Sequence, residues 1–254
     1  MNVIESTALG RRYRRTWALR DCTLGIPGGH IVALVGPNGA GKTTLLTMAV
    51  GLTKPTEGSV TVLGGVPAGS PDALDLIAFV AQDAPLYRNL PVADMPRVAR
   101  NLNRRWDQGR ADDRLDRLGI PRRQRVGQLS GGQKAQLALT IALARRPRLL
   151  VLDEPLAALD PVARGDFMAS IVEEAARDDI SVVLSSHVLA ELERVASYLI
   201  VLTRGHVQVA GPVSELLAMH GAGLEEIALR HLRAGAGSAD PRAPRTTTGT
   251  ETAR

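Results

Sequence analysis

The pattern of apolar and polar positions divides the chain into short strands separated by helices. Cys22, Leu24 and Ile26 alternate with Asp21, Thr23 and Gly25, which predicts a half-buried strand. Ile31–Val35 is continuously apolar and runs into a glycine-rich loop, as a buried strand does before a helix. Residues 58–63, closed by Gly64-Gly65, and residues 77–81 read as further strands. From 91 to 128 the pattern turns charged and helical. Three short apolar strands follow, at Leu149–Leu152, 180–184 and 198–202, with helical stretches between them. Such alternation predicts an α/β domain, a parallel sheet with helices on both faces, and the 91–128 stretch reads as an insertion into it. No repeat of 20 to 50 residues is visible. Residues 234–254 hold no Leu, Ile, Val or aromatic residue. They cannot bury enough surface to offset the entropy of ordering, so a disordered tail is expected there.

Composition narrows the class. The 254 residues are 44% apolar, and no apolar run approaches the roughly 20 residues that span a bilayer. The N-terminus lacks the basic-then-apolar layout of a signal peptide, so a cytoplasmic protein is expected. One cysteine, Cys22, excludes an internal disulfide and a multi-cysteine zinc site. The net charge is +5, with basic clusters at Arg11-Arg12-Tyr13-Arg14-Arg15, Arg122-Arg123-Gln124-Arg125 and Arg145-Arg146-Pro147-Arg148. Such clusters can meet nucleic acid or an anionic membrane. Runs of charge are more often solvated faces, and no nucleic acid is expected as a partner.

The sharpest local signal is Gly36-Pro37-Asn38-Gly39-Ala40-Gly41-Lys42-Thr43, which fits G-x-x-x-x-G-K-[ST]. Glycines let successive backbone N–H groups turn inward around phosphates, and a helix starting near Lys42 points its positive end at the same anion. Lys42 adds charge at the β- and γ-phosphates, and the Thr43 hydroxyl can ligate Mg²⁺. A hydrolytic site also needs carboxylates for the metal and for water. Leu149-Leu150-Val151-Leu152-Asp153-Glu154 places them at the end of a buried strand, where ligands sit in an open α/β sheet. Asp153 is expected in the Mg²⁺ shell and Glu154 at the attacking water.

Between these motifs stands Leu129-Ser130-Gly131-Gly132-Gln133. Read locally it is a helix N-cap. Read with the phosphate loop and Asp153-Glu154 in this order, it resembles the signature of the ABC-transporter ATPases. The resemblance covers residues 2–220. It implies a P-loop fold of ABC type: a mixed sheet core, a β subdomain near the N-terminus and a helical subdomain inserted at 91–128. Residues 221–233 would then be a C-terminal extension. It also implies ATP and Mg²⁺ as ligands, with Thr44 completing the phosphate site. Gln82 resembles the glutamine that senses Mg²⁺ and the γ-phosphate, and His187 the switch histidine at the γ-phosphate. Ala158-Leu159-Asp160 resembles the loop that crosses to a partner subunit. Tyr13 is favoured over Trp17 as the adenine-stacking aromatic. Two departures stand out: Gln136 replaces an arginine often found three positions past the signature glutamine, and Ala157-Ala158 begins the loop before Asp160.

The same resemblance places Ser130 and Gly132 against ATP on a second subunit, so each ATP is expected between one chain's phosphate loop and the other's signature helix. A separate integral-membrane permease would receive the resulting motion at the surface near Leu86 and Tyr87, at the inner face of the cell membrane. Leu86-Tyr87, Leu90-Pro91-Val92, Trp106-Asp107 and Ser185-Ser186-His187 look most like bacterial exporter ATPases, so export is the expected direction. The rival is a soluble ABC ATPase acting on nucleic acid or ribosomes. Against it, only 88 residues separate Lys42 from Ser130, too few for a long inserted coiled coil. A binding-only module with a dead site is disfavoured by Lys42, Asp153, Glu154 and His187.

Overall fold

The computed structural model describes residues 1–237 apart from Ala84, Val188 and Ala190. The chain opens with strands β1 (Asn2–Tyr13) and β2 (Thr16–Pro27), then β3 (Ile31–Val35) and helix α1 (Lys42–Ala49). Next come β4 (Glu57–Val62), β5 (Val66–Pro67), α2 (Pro71–Leu76) and β6 (Ile77–Val80). The insertion supplies α3 (Asp94–Leu102) and α4 (Gln108–Arg117), and α5 (Gly131–Ala144) returns the chain to β7 (Leu149–Leu152). Then follow α6 (Pro161–Asp178), β8 (Ser181–Ser186), β9 (Tyr198–Thr203), β10 (His206–Pro212), α7 (Val213–His220) and α8 (Leu224–Gly237).

Two sheets result. The larger has the order β10-β9-β3-β8-β7-β6, with β9 through β6 parallel and β10 antiparallel at its edge. The smaller is antiparallel, in the order β2-β1-β4-β5. Together they are the mixed core and N-terminal β subdomain expected above.

The strands of the large sheet are apolar on both sides because both sides are covered. Ala33, Val35, Leu150, Leu152, Val182 and Leu184 pack with α5, α6 and α8. Val32, Leu34, Val151, Val183 and Ile200 pack with α1 and the inner face of the small sheet. Helices therefore lie on both faces, as expected, but only one face is covered by helices alone. On the other, α1 shares the cover with the small sheet. The insertion has its own apolar cluster, in which Val92, Met95, Leu115, Ile120 and Val126 rest on Leu129 and Leu137.

The C-terminal stretch differs from expectation. Leu224, Ile227 and Ala228 are fully buried in the main core, so residues 221–233 belong to the domain. Helix α8 also continues to Gly237, past the boundary at 234. The remainder of the expected disordered tail lies outside the described residues. No helix among the described residues is long and apolar enough to cross a membrane.

Candidate nucleotide site

Parallel strands bring their C-terminal ends to one edge of a sheet, and this edge gathers the motifs. β3 ends at Val35 before the phosphate loop, β7 at Leu152 before Asp153-Glu154, and β8 at Ser186 before His187. β6 ends at Val80, two residues before Gln82. Strand β8 lies between β3 and β7, so loops distant in sequence meet.

They line one cavity of about 350 Å³. Pro37, Asn38, Gly39, Ala40, Gly41, Lys42, Thr43 and Thr44 line it together with Ala18, Gln82, Glu154 and His187. Gly36 starts the loop. Gly41 caps α1 with φ +105°, and a Cβ there would lie 2.5 Å from the Ala18 carbonyl oxygen. Only glycine fits that turn.

Lys42 is almost wholly buried and extends back along the loop. Its Nζ donates to the Gly36 carbonyl at 2.7 Å and to the Pro37 carbonyl at 3.3 Å. It also lies 3.1 Å from Glu154 Oε1, a contact of charge without hydrogen-bond geometry. The other Glu154 oxygen is 2.7 Å from His187 Nδ1. Lys42, Glu154 and His187 therefore form one connected group. His187 is half exposed and faces the cavity, whereas Lys42 and Glu154 are shielded.

Asp153 sits behind the cavity wall. It is 2% exposed, its N–H donates to the Val80 carbonyl, and Oδ1 accepts from the Ser185 hydroxyl at 2.7 Å. In the sequence Ser185 is simply the first residue of Ser185-Ser186-His187. A serine closing an apolar strand gives no sign of which neighbour it will bond.

The signature residues are elsewhere. Ser130 caps α5 in a reciprocal box: its hydroxyl accepts from Gln133 N–H at 3.1 Å, and Gln133 Oε1 accepts from Ser130 N–H at 3.0 Å. A Cβ on Gly132 would lie 2.9 Å from the Ala163 Cβ, so glycine lets α5 and α6 approach closely. A Cβ on Gly131 would meet the Ala158 carbonyl oxygen at 3.1 Å, and Leu129 is buried beneath. Ser130, Gly132 and Gln133 line a second cavity of about 690 Å³ with Asp160 and Val162. The two cavities share no lining residue. Asp160 caps α6, accepting from the Val162 and Ala163 N–H groups.

Tyr13 and Trp17 flank the β1–β2 turn, and neither lines the phosphate-loop cavity, which this hairpin touches through Ala18. Tyr13 is 46% exposed with the Arg11 guanidinium over its ring. Trp17 packs on Gly10 with Arg12 and Arg20 over its ring. Leu86 and Tyr87 also part company. Leu86 is half buried between the main core and the insertion's cluster, while Tyr87 is exposed.

The sequence profile of the ABC transporter family matches residues 19–157. The chain belongs to that family. It is 34% identical over 223 residues to the Fe(3+) ions import ATP-binding protein of Pseudomonas fluorescens, covering 85% of this chain and 63% of that one. The phosphonates import ATP-binding protein of Thiobacillus denitrificans is 32% identical, covering 86% of this chain and 90% of the relative. Among solved structures, a dimeric bacterial ABC transporter cassette superposes with a TM-score of 0.73 at 27% identity, over 82% of this chain and 98% of its own. The chain thus spans just under two thirds of the iron relative and nearly all of the other two.

Proposed function

We propose that this ABC cassette binds and hydrolyses ATP and passes the resulting motion to a separate membrane permease. The observation that carries this reading is the joining of Lys42, Glu154 and His187 in the lining of the phosphate-loop cavity. The cavity wall fits a nucleotide: Gly39 and Gly41 have positive φ, and Lys42 supplies a cation beside the loop carbonyls. Thr43 and Gln82 at the cavity, with Asp153 behind it, are oxygen donors of the type Mg²⁺ takes. Mg²⁺ bound there would neutralise charge on the phosphate oxygens.

In this reading Lys42 leaves the Gly36 carbonyl to meet the β- and γ-phosphates. Glu154 accepts a proton from the attacking water, and His187 holds the Glu154 carboxylate from one side and the γ-phosphate from the other. Tyr13 or Trp17 stacks on the adenine. Ser130 and Gly132, on a separate cavity, act on the nucleotide of a second copy or a paralogue, with Asp160 beside them at the contact.

The permease reading, at the inner face of the membrane, places Tyr87 at the receiving surface. Its exposure makes it the free member of the Leu86–Tyr87 pair. Direction belongs to the permease, and both relatives named above are importers, so the export expectation draws no support from them. Two arginines of the basic clusters named above are paired within the chain. Arg122 pairs with Asp112 and Asp116, and Arg146 with Asp107. The test is affinity capture of the chain from solubilised membranes, with Tyr87→Ala alongside. A polytopic membrane protein captured by wild type and lost with Tyr87→Ala at unchanged ATPase is the expected result. Co-purifying nucleic acid in place of a membrane partner would overturn the reading.

A further inference from the structure

We propose that Ser185 is a positioning residue that locks Asp153 and Glu154 together in the geometry needed for turnover. The parallel register pairs Leu152 with Leu184, which sets the next residues, Asp153 and Ser185, side by side on neighbouring strands. Ser185 is fully buried. Its Oγ lies 2.7 Å from Asp153 Oδ1 and 2.8 Å from the Glu154 backbone nitrogen. The Glu154 N–H can only donate, so the single hydroxyl proton goes to Asp153. One hydroxyl therefore spans both acidic residues and fixes which Asp153 oxygen remains for a cation.

The backbone makes this bond matter. Glu154 has φ +48°, the left-handed region that side-chain-bearing residues seldom adopt. That conformation turns its carboxylate toward Lys42 and His187. Asp153 is held on its other side, where its N–H meets the Val80 carbonyl. The Ser185 acceptor anchors the strained amide from the β8 side. Ser6 offers a contrast: it is also buried, but its hydroxyl reaches Cys22 and the Leu24 carbonyl, away from the candidate site. Ser185 joins two acidic residues of that site.

The inference rests on the assignment of Asp153 and Glu154 above, so Glu154→Gln is measured in parallel. Ser185→Ala, Ser185→Thr and Ser185→Cys are compared for kcat, for KM, for ATP affinity with and without Mg²⁺, and for melting temperature. Ser185→Ala is expected to lower kcat about tenfold or more, as loss of a supporting hydrogen bond does. Its ATP affinity without Mg²⁺ should stay within about twofold, while the tightening that Mg²⁺ confers shrinks. Threonine, which keeps the hydroxyl, should restore kcat. If alanine prevents folding, the cysteine variant, a weaker donor of similar size, carries the comparison. Wild-type kcat and Mg²⁺ response in the alanine or cysteine variant would overturn the proposal. So would a lowered melting temperature with kcat intact, which marks a purely structural bond. Normal turnover by Glu154→Gln would remove the underlying assignment, whereas its loss beside a normal Ser185→Ala removes this inference alone.

Discussion

Lys42 is held by three oxygens, from Gly36, Pro37 and Glu154, although its charge is nearly out of water. A buried ammonium needs such partners, and each must be replaced by phosphate oxygen if ATP binds as proposed. Lys42→Ala should therefore weaken ATP binding by roughly 10- to 150-fold, the worth of about 1.5–3 kcal/mol for a hydrogen bond to a charged group. Fluorescent-nucleotide titration checks this, and unchanged affinity would contradict the site. Lys42, Asp153 and Glu154 stood out in the sequence through the glycine-rich loop and the acidic end of an apolar strand, and His187 through the family resemblance. Ser185 did not, since its partner is chosen by the register of two strands 32 residues apart. Tyr13 against Trp17 was equally undecidable, because the reach of an aromatic ring depends on the hairpin that carries it.

At the scale of elements, an ion-pair hub ties the inserted α4 to α5 and α6. Arg114, 2% exposed, donates to Glu174 Oε1 at 2.7 Å and to Gln136 Oε1 at 2.8 Å. Arg110, Arg117 and Arg177 also reach Glu174, and Arg110 pairs with Asp178. Gln136, which departs from the family's arginine, thus accepts a guanidinium from the insertion and passes a hydrogen bond to Ser170 on α6. Arg114→Ala removes one of the four guanidinium partners of Glu174 and the donor to Gln136, a change that costs about 1.5–3 kcal/mol and should lower the melting temperature by roughly 5 °C. Arg114→Lys should not recover it, because an ammonium cannot bridge two acceptors in a planar fork. Calorimetry decides, and a shift below about 2 °C for alanine would show the hub carries little stability. The core strands were readable because they are continuously apolar. β1 was missed because register shifts break its alternation, and β10 because it is a partly exposed edge. Likewise, α8 looked like an appendage until its buried Leu224, Ile227 and Ala228 placed it in the core.

Over the whole molecule, phosphate loop and signature helix line different cavities with no lining residue in common. In the proposed function a two-fold pair of chains would bring both to each nucleotide and make ATP part of the interface, a ligand favouring the closed state. Exposed Val162, at the start of α6 beside Asp160 and the signature, offers apolar surface to such a contact. The division was foreseeable from the resemblance, whereas the separation of the cavities required the packing of α5 on α6 through Gly132. Glu154→Gln keeps the side chain's shape but cannot take a proton from water, so ATP should persist and hold the pair closed. Light scattering on this variant with MgATP is the most direct test. A mass near twice the 27.0 kDa chain, reverting to one chain without nucleotide, is the predicted result. A single-chain mass with ATP fully bound would contradict the account.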